Sequence, residues 1–170
     1  MARLKQELAA GADVNARDPR GVASAVFAAA ALGQEECLQV LLEAGADNDA
    51  GYDASGVTVS PLYAAVQLSH LGCVRLLLRH GASTSVRSEG EVTPLLRAAG
   101  SGRLECLEAL LEAGADVEQA TSIDFTPLQC AALGGHLECV RALLKVRQGR
   151  AASLPQGRQA VWQPAGTFTY

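Results

Sequence analysis

The sequence predicts an all-α fold, a solenoid of about four helix-pair repeats connected by hairpin-like loops. Of the whole chain, 49% is hydrophobic but only 4% is aromatic, which favours closely packed helices over an aromatic-rich sheet. Gly-Ala pairs recur at nearly regular intervals, beginning at Gly11, Gly45, Gly81 and Gly114. A Ser or Thr precedes each of the last three glycines by one and the same distance, at Ser24, Ser60 and Thr93. Such self-similarity at an almost fixed period is typical of a repeat protein.

The constant and the variable distances divide each repeat into two parts. The constant distance from each Ser or Thr to the following glycine indicates packed secondary structure. The segment from each glycine to the next Ser or Thr varies in length, which indicates a loop, because loops tolerate insertions with little loss of stability. We therefore expect two short helices in the rigid part of each repeat.

The last repeat, residues 126–144, shows why two helices are predicted. Thr126 is a good N-cap, and Pro127 fits the first helical position, where its missing N–H donor is harmless. Gly134 and Gly135 interrupt the first helix. Apolar residues recur at helical spacing on both sides of this break, and we expect burial of Leu128, Ala131, Ala132, Leu137, Val140, Leu143 and Leu144. In the earlier repeats the second helix ends at one of the recurring glycines, which suit a left-handed cap.

Four segments share one pattern: “SAVFAAAALGQEECLQVLLEAGAD”, “SPLYAAVQLSHLGCVRLLLRHGA”, “TPLLRAAGSGRLECLEALLEAGADV” and “TPLQCAALGGHLECVRALL”. Thr-Pro-Leu followed by Ala-Ala, Gly-His, Leu-Leu and Gly-Ala-Asp resembles the ankyrin repeat, over roughly residues 4–145. The resemblance implies an ankyrin-repeat domain over residues 1–145, divided into a half repeat 1–16 and repeats of about 17–50, 51–86, 87–119 and 120–145. Residues 146–170 show no helical or strand period and are predicted to be a disordered tail.

The sequence departs from the ankyrin pattern in three places. The His that usually follows Thr-Pro-Leu is replaced by Phe27, Tyr63, Leu96 and Gln129. Because the side-chain hydrogen bonds of that His are expected to be missing, we expect modest stability. Ala25 replaces Pro in the first repeat. Both ends are irregular, because the leading half repeat lacks its first helix and Arg147 stands where Gly is expected.

Charge and apolar patterning exclude several classes of function. A net charge of −4 and a pI near 5.3 argue against nucleic acid as a partner, since phosphate binding needs clustered Lys and Arg. Residues 146–170 contribute +3, so the remainder carries −7 (−4 minus +3). No apolar run reaches the roughly 20 residues that span a bilayer, and “MARLKQEL” lacks a signal core. We expect a monomeric intracellular protein, cytoplasmic or nuclear, whose five cysteines are reduced.

The resemblance also implies that the partner is another protein. In the ankyrin family the concave side, made of hairpin loops and first helices, commonly binds proteins as part of an adaptor, scaffold or inhibitor. A rigid stack presents its loops with little ordering on binding. Nine exposed positions are candidate contacts: Arg20, Tyr52, Asp53, Gln67, Glu89, Glu91, Arg97, Asp124 and Phe125.

Two of these aromatic candidates have alternative interpretations. Tyr52 lies in the longest loop, residues 47–59, and is interpreted as an interface anchor because tyrosine is enriched at binding hot spots. The alternative is a surface insertion without a role in binding. Phe125 could contact a partner or pack under its own loop.

Spacing disfavours a metal site or a catalytic site. “DNDAGYDASGVT” begins like a calcium loop but has Gly51 and Thr58 where ligands are required. Equivalent positions in stacked helices lie about 8–10 Å apart, too far for one zinc ion to bind Cys37, Cys73, Cys106 and Cys139. His136 and Cys139 could face each other on one helix, but Cys139 lies on the buried stripe, where a thiol is inert. We expect no enzymatic activity, no cofactor and no metal.

Other interpretations stay open. The chain could be a regulatory ankyrin fragment of a larger multidomain protein, such as an enzyme, a channel or a signalling protein. The tail segment “VWQPAGTFTY” could be a docking segment or fold back onto the last helix pair. Cys130 lies off the register of the other cysteines and is expected to be the most accessible thiol.

Overall fold

The computed structural model describes residue 6 and residues 10–54, 57–88 and 91–153. Within these residues, eight helices form four consecutive pairs: α1 (Ala25–Ala31) with α2 (Glu35–Glu43), α3 (Pro61–Gln67) with α4 (Leu71–Arg79), α5 (Pro94–Gly100) with α6 (Leu104–Glu112), and α7 (Pro127–Leu133) with α8 (Leu137–Ser153). An antiparallel hairpin of β1 (Tyr52–Ala54) and β2 (Val57–Val59) lies in the loop before α3.

A side-chain hydroxyl begins the first helix of each pair. Its oxygen accepts a hydrogen bond from the backbone N–H three residues later, at 3.0–3.4 Å, in Ser24, Ser60, Thr93 and Thr126. Three of the four first helices also begin with Pro, whose fixed φ suits the first helical position. These caps confirm the helix starts that the sequence predicts.

The turn inside each pair uses a residue in the left-handed conformation. Gly33, Gly102 and Gly135 have φ of 68°, 67° and 70°. Ser69 stands at the equivalent position of the second pair and has φ of 63°. A residue with a Cβ atom is disfavoured in this conformation, so Ser69 is a local source of strain.

Histidines after this turn connect neighbouring pairs. The His70 Nε2 donates to the Ala31 carbonyl oxygen at 3.2 Å, and the His136 Nε2 donates to the Gly100 carbonyl oxygen at 3.1 Å. The His70 ring lies so close to Gly33 that a Cβ atom added there would be 2.7 Å from Nδ1. Each ring therefore supplies a hydrogen-bond donor to a carbonyl at the C-terminal end of the first helix in the preceding pair.

The helices stack in two layers. The first helices α1, α3, α5 and α7 pack side by side in one layer, and the second helices α2, α4, α6 and α8 pack in the other. Leucines of the second helices fill the core between the layers, including Leu38, Leu77, Leu107, Leu110 and Leu143. The arrangement confirms the predicted all-α repeat solenoid.

Hydrogen bonds also connect the loops of neighbouring repeats. The Asp47 backbone N–H donates to the Asn15 Oδ1 at 2.8 Å. One repeat later, the Ser83 backbone N–H donates to the Asp49 Oδ1 at 3.0 Å. Each bond joins residues that are 32 or 34 positions apart, which is about one repeat. Stacking of neighbouring repeats therefore brings these loops into contact.

Side chains at the His position of the ankyrin pattern form more hydrogen bonds than the sequence suggests. The Gln129 Oε1 accepts hydrogen bonds from both the backbone N–H and the hydroxyl of Thr126, at 2.8 and 3.0 Å. Tyr63 accepts a hydrogen bond from Arg97. Gln129 and Tyr63 therefore form side-chain hydrogen bonds of their own at this position, and the expectation of modest stability stays a prediction.

The last pair exposes apolar residues that were expected to be buried. Leu143 and Ala131 are buried as predicted, but Leu137 and Leu144 are 57% and 40% exposed and Ala132 is exposed. In the preceding pair Ala99, the equivalent of Ala132, is fully buried because α7 packs against α5. No further pair covers α7 and α8 within the described residues, and the expectation of burial fails for this reason.

The last helix is longer than the sequence predicts. It passes position 145, where the repeat domain was expected to end, and continues to Ser153. Arg147 replaces the helix-ending Gly and its Nε forms an ion pair with the Glu118 Oε1 at 2.7 Å. The prediction of a tail from residue 146 is therefore wrong for residues 146–153. Residues 154–170 and the aromatic docking segment lie outside the described residues, so those predictions stay untested.

Replacing Ser69 with Gly is expected to stabilise the protein by about 0.5–1 kcal/mol, because Gly adopts φ of 63° without a Cβ penalty. The free energy of unfolding from urea titration measures this. Gly33→Ala is the matched control at the equivalent turn and should destabilise, since it adds both the penalty and a clash with His70. A less stable Ser69→Gly variant would contradict the account of this turn.

Candidate functional site

Tyr52 is held against the preceding repeat. In β1 it pairs with Val59, and it also forms an isolated β-bridge with Ala23. Its ring stacks on Phe27 of α1, with 5.5 Å between ring centroids and 29° between ring planes. Tyr52 is still 36% exposed, so the aromatic pair fixes one face of the ring and leaves the other available.

Asp53 is fixed beside Tyr52 by backbone and side-chain interactions. Its N–H donates to the Val22 carbonyl oxygen at 2.8 Å, and its Oδ2 lies 2.7 Å from the Arg17 Nη1. A hydrogen bond from Thr58 is the main cause that lowers the pKa of the Asp53 carboxyl, and the hydrogen bond from Arg17 adds to it. The hairpin therefore carries an ionised, internally neutralised acid.

Tyr63 and Arg97 form a contact between α3 and α5. The Arg97 Nε donates to the Tyr63 Oη at 2.8 Å, and the Arg97 Nη2 donates to the same oxygen. The Arg97 Cζ lies 5.3 Å from the centroid of the Tyr63 ring, within the range of a cation–π interaction. Tyr63 is buried while Arg97 is half-buried, so the guanidinium is oriented at the surface by a buried phenol.

The loop before α5 is closed by an ion pair. The Arg87 Nη1 lies 2.7 Å from the Glu91 Oε2 and also donates to the Ala120 carbonyl oxygen of the next loop, at 3.3 Å. Glu91 has φ of 63° at the tip of this loop. Glu89, another predicted contact, lies outside the described residues.

The loop before α7 exposes apolar side chains. Thr121 and Phe125 are joined by a hydrogen bond from the Thr121 N–H to the Phe125 carbonyl oxygen at 3.0 Å. Asp124, at the tip of this turn, has φ of 60°. Phe125 is exposed, and Ile123 is 74% exposed. This loop tip therefore presents an acid between two apolar side chains.

The structure brings some predicted contacts together and leaves others apart. Tyr52 and Asp53 are adjacent in one hairpin, and Asp124 and Phe125 are adjacent in one loop tip. Arg20 and Gln67 are exposed, the first in a loop and the second at the end of α3. Sequence reasoning missed the residues that hold the contacts in place: Phe27, Tyr63, Arg17 and Arg87. Phe27 and Tyr63 share the third position of their helices, where the ankyrin pattern has His.

Cysteine packing argues against a reactive thiol. Cys73, Cys106 and Cys139 are buried, whereas Cys37 and Cys130 are half-buried. Burial raises the pKa of Cys73 to about 11 and also raises those of the Cys106 and Cys139 thiols. These thiols are protonated at neutral pH. The His136 Nε2 donates to a backbone carbonyl, so this nitrogen is engaged in holding the stack.

Two further types of site are not found in the part of the chain that the structure describes. No group of three or more His, Cys, Asp or Glu side chains is placed to hold a metal ion there. Among the described helices, none combines the length and the apolar character required to cross a membrane.

Three overlapping stretches of the chain match the family described as ankyrin repeats: residues 2–88, 51–121 and 81–153. The chain belongs to the ankyrin-repeat family. Ankyrin repeats are generally protein-interaction modules and are typically non-catalytic. No curated protein matches the chain. The family accounts for the helix pairs and the loop register described above, and it leaves the partner of this ankyrin chain to be inferred from the surface.

Cys106 should tolerate an apolar replacement and reject a charged one. It is 3% exposed among the leucines of the core, so Cys106→Val is expected to change stability by less than about 1 kcal/mol. Cys106→Asp buries an unpaired carboxylate and should destabilise by about 3 kcal/mol or more. Thermal unfolding of the two variants measures the difference, and similar melting temperatures would refute the packing role.

The pKa of Asp53 should rise when its donors are removed. Thr58→Val removes the hydrogen bond that is the largest single cause, and Arg17→Ala removes both a hydrogen bond and a nearby positive charge, so each variant should raise the pKa. A lowered folded-state pKa stabilises the fold above the unfolded pKa near 3.9, and this stabilisation is lost as the pH falls through the folded value. NMR titration of the Asp53 side-chain carboxyl measures this rise. An unchanged pKa in both variants would contradict the assignment.

Proposed function

We propose that this ankyrin stack is a non-catalytic binding module, which acts as an adaptor, scaffold or inhibitor of another protein. The surface proposed to bind is the first-helix face, formed by α1, α3, α5, α7 and the loops that precede them. The observation that carries the proposal is the stacked pair of Phe27 and Tyr52, which holds an exposed aromatic ring in one orientation.

The distribution of aromatic residues supports this face over the opposite one. All four aromatic residues before position 154 lie on first helices or the loops before them: Phe27, Tyr52, Tyr63 and Phe125. The second helices contain none. Since aromatic side chains dominate binding hot spots, the first-helix face is the better candidate for protein binding.

The rigidity of the loops supports binding through shape. Tyr52 is fixed by a β-bridge and a ring contact, and Asp53 is fixed by an ion pair. A side chain that is already ordered loses little conformational entropy when it contacts a partner. The loop tips can therefore contribute binding free energy without a large entropic cost of their own ordering.

The proposal is tested with Tyr52→Ala and a control on the opposite face, Arg75→Ala in α4. Affinity capture from native lysate with the full chain should recover a specific partner, and Tyr52→Ala should weaken its binding about tenfold or more, the scale of a hot-spot residue. Arg75→Ala should bind as the native chain does, because Arg75 is an exposed residue of the second-helix layer. Melting temperatures of both variants show that the fold is intact.

Other outcomes of this experiment would count against the proposal. Equal loss of the partner in both variants would place the contact elsewhere or point to a general defect. Retention in Tyr52→Ala together with loss in Arg75→Ala would move the site to the second helices. If the isolated chain catalysed the turnover of a substrate of the captured partner, the proposal that the module is non-catalytic would be contradicted.

A further inference from the structure

Arg97 differs from the arginines that form ion pairs. Arg17, Arg87, Arg141 and Arg147 each lie within 3.0 Å of a carboxylate oxygen. Among the described residues, no carboxylate lies within ion-pair distance of Arg97, and its helix, “PLLRAAG”, contains no acid. The guanidinium is therefore a half-buried cation whose charge is balanced by no neighbour that the structure describes.

The edge of the guanidinium that faces away from Tyr63 retains its donors. A guanidinium has five N–H donors, and the Tyr63 Oη accepts one from Nε and one from Nη2. Three donors remain (five minus two), two on Nη1 and one on Nη2. Nη1 and Nη2 form the end-on fork of arginine, which matches the two oxygens of a carboxylate.

Tyr63 also fixes the direction of this fork. Two hydrogen bonds and a ring contact at 5.3 Å hold the guanidinium, so it loses little rotamer freedom when a ligand binds. The half-buried setting reduces the screening by water that weakens fully exposed ion pairs. Both effects favour anion binding at Arg97 over anion binding at the exposed arginines of the loops.

The neighbouring first helices have small side chains at the position equivalent to Arg97. Ala28 in α1 is exposed, Ala64 in α3 is buried, and Cys130 in α7 is half-buried. The side chains on both sides of the guanidinium are therefore short and do not extend past it toward a ligand. Since the neighbours are uncharged, they add attraction for apolar groups rather than for further acids.

The net charge of the repeat region limits how acidic the ligand can be. Residues 1–145 carry a net charge of −7, which repels a run of acids or a phosphate of nearly two negative charges. A single carboxylate is repelled less, and at contact distance the local cation outweighs distant charges that salt screens beyond about 8–10 Å. The favoured ligand is a segment with one carboxylate among apolar residues.

We propose that Arg97, oriented by Tyr63, is the receptor for a single carboxylate of a partner peptide that lies across the first-helix face. This inference rests on the proposed function, because it names the chemistry that the partner presents to that face. It assigns Arg97 as the residue that contacts the ligand and Tyr63 as the residue that positions it.

The probe is a displayed library of short random peptides, selected on the full chain. Enriched peptides should carry one Asp or Glu at a fixed position, flanked by apolar residues. Their affinity should fall about ten- to a hundredfold in Arg97→Gln, the range expected for losing charged hydrogen bonds in a partly desolvated site. The matched control Arg75→Gln removes a charge from the second-helix layer and should leave the affinity unchanged. Arg97→Lys, which keeps the charge without the fork, should give an intermediate loss.

A further variant tests whether Tyr63 positions Arg97 for the ligand or only stabilises the fold. Tyr63→Phe keeps the ring and removes the hydrogen-bond acceptor, so Arg97 loses its fixed direction. Affinity for the acidic peptides should fall several-fold, while peptides in which the acid is replaced by its amide should bind both proteins equally. If Tyr63→Phe lowers the melting temperature but leaves the preference for the acid over the amide unchanged, the positioning role is wrong.

The outcomes distinguish this inference from the proposed function. Enriched peptides that lack an acid, need Tyr52 and ignore Arg97→Gln would overturn the carboxylate receptor and leave the proposed face intact. Enrichment only of phosphopeptides, from a library that contains them, would overturn the choice of a carboxylate. If no peptide binds the native chain above the level of a thermally unfolded sample, both the receptor and the binding of short segments by this face are refuted.

Discussion

The need of each helix pair to bury its apolar stripe against the next pair governs the rest of the structure. Leu77, Leu110 and Leu143 occupy equivalent positions in successive second helices, and each is fully buried in the core between the two helix layers. Leu137 and Leu144 in the last pair remain exposed where no further pair covers them in the described part of the chain. Stability in such a stack comes from the interfaces between repeats as much as from each repeat.

Stacking also positions the surface that we propose to be functional. Contacts between residues about one repeat apart join the Asn15 side chain to Asp47, Asp49 to Ser83 and Tyr63 to Arg97. Each contact fixes a loop or a side chain of one repeat by means of its neighbour. The first-helix face is therefore ordered before a partner arrives, and this order holds in place Tyr52 and Arg97, the binding groups that we propose.

The repeat pattern was predictable because it is local. A Ser or Thr cap, a Pro at the first helical position and glycines at the turns act within a few residues, so the helix starts were confirmed from their sequence signals. The end of α8 could not be predicted in this way. Arg147 stands where a Gly would end the helix, so the helix continues beyond the point where the sequence period stops. Among the candidate contacts, the sequence marked Tyr52 and Arg97 as exposed but gave no sign of their neighbours Phe27 and Tyr63.

The sequence by itself determined the fold class, the number of pairs, the caps and the register that buries Cys73, Cys106 and Cys139, because each depends on spacing within one repeat. Only the tertiary structure decided which residues meet between repeats. Tyr63 was expected to lack the hydrogen bonds of the usual His, yet it accepts two from Arg97, a residue 34 positions later. The physical reason is that side chains one repeat apart become neighbours only when two pairs stack, and the direction of each side chain follows from that packing.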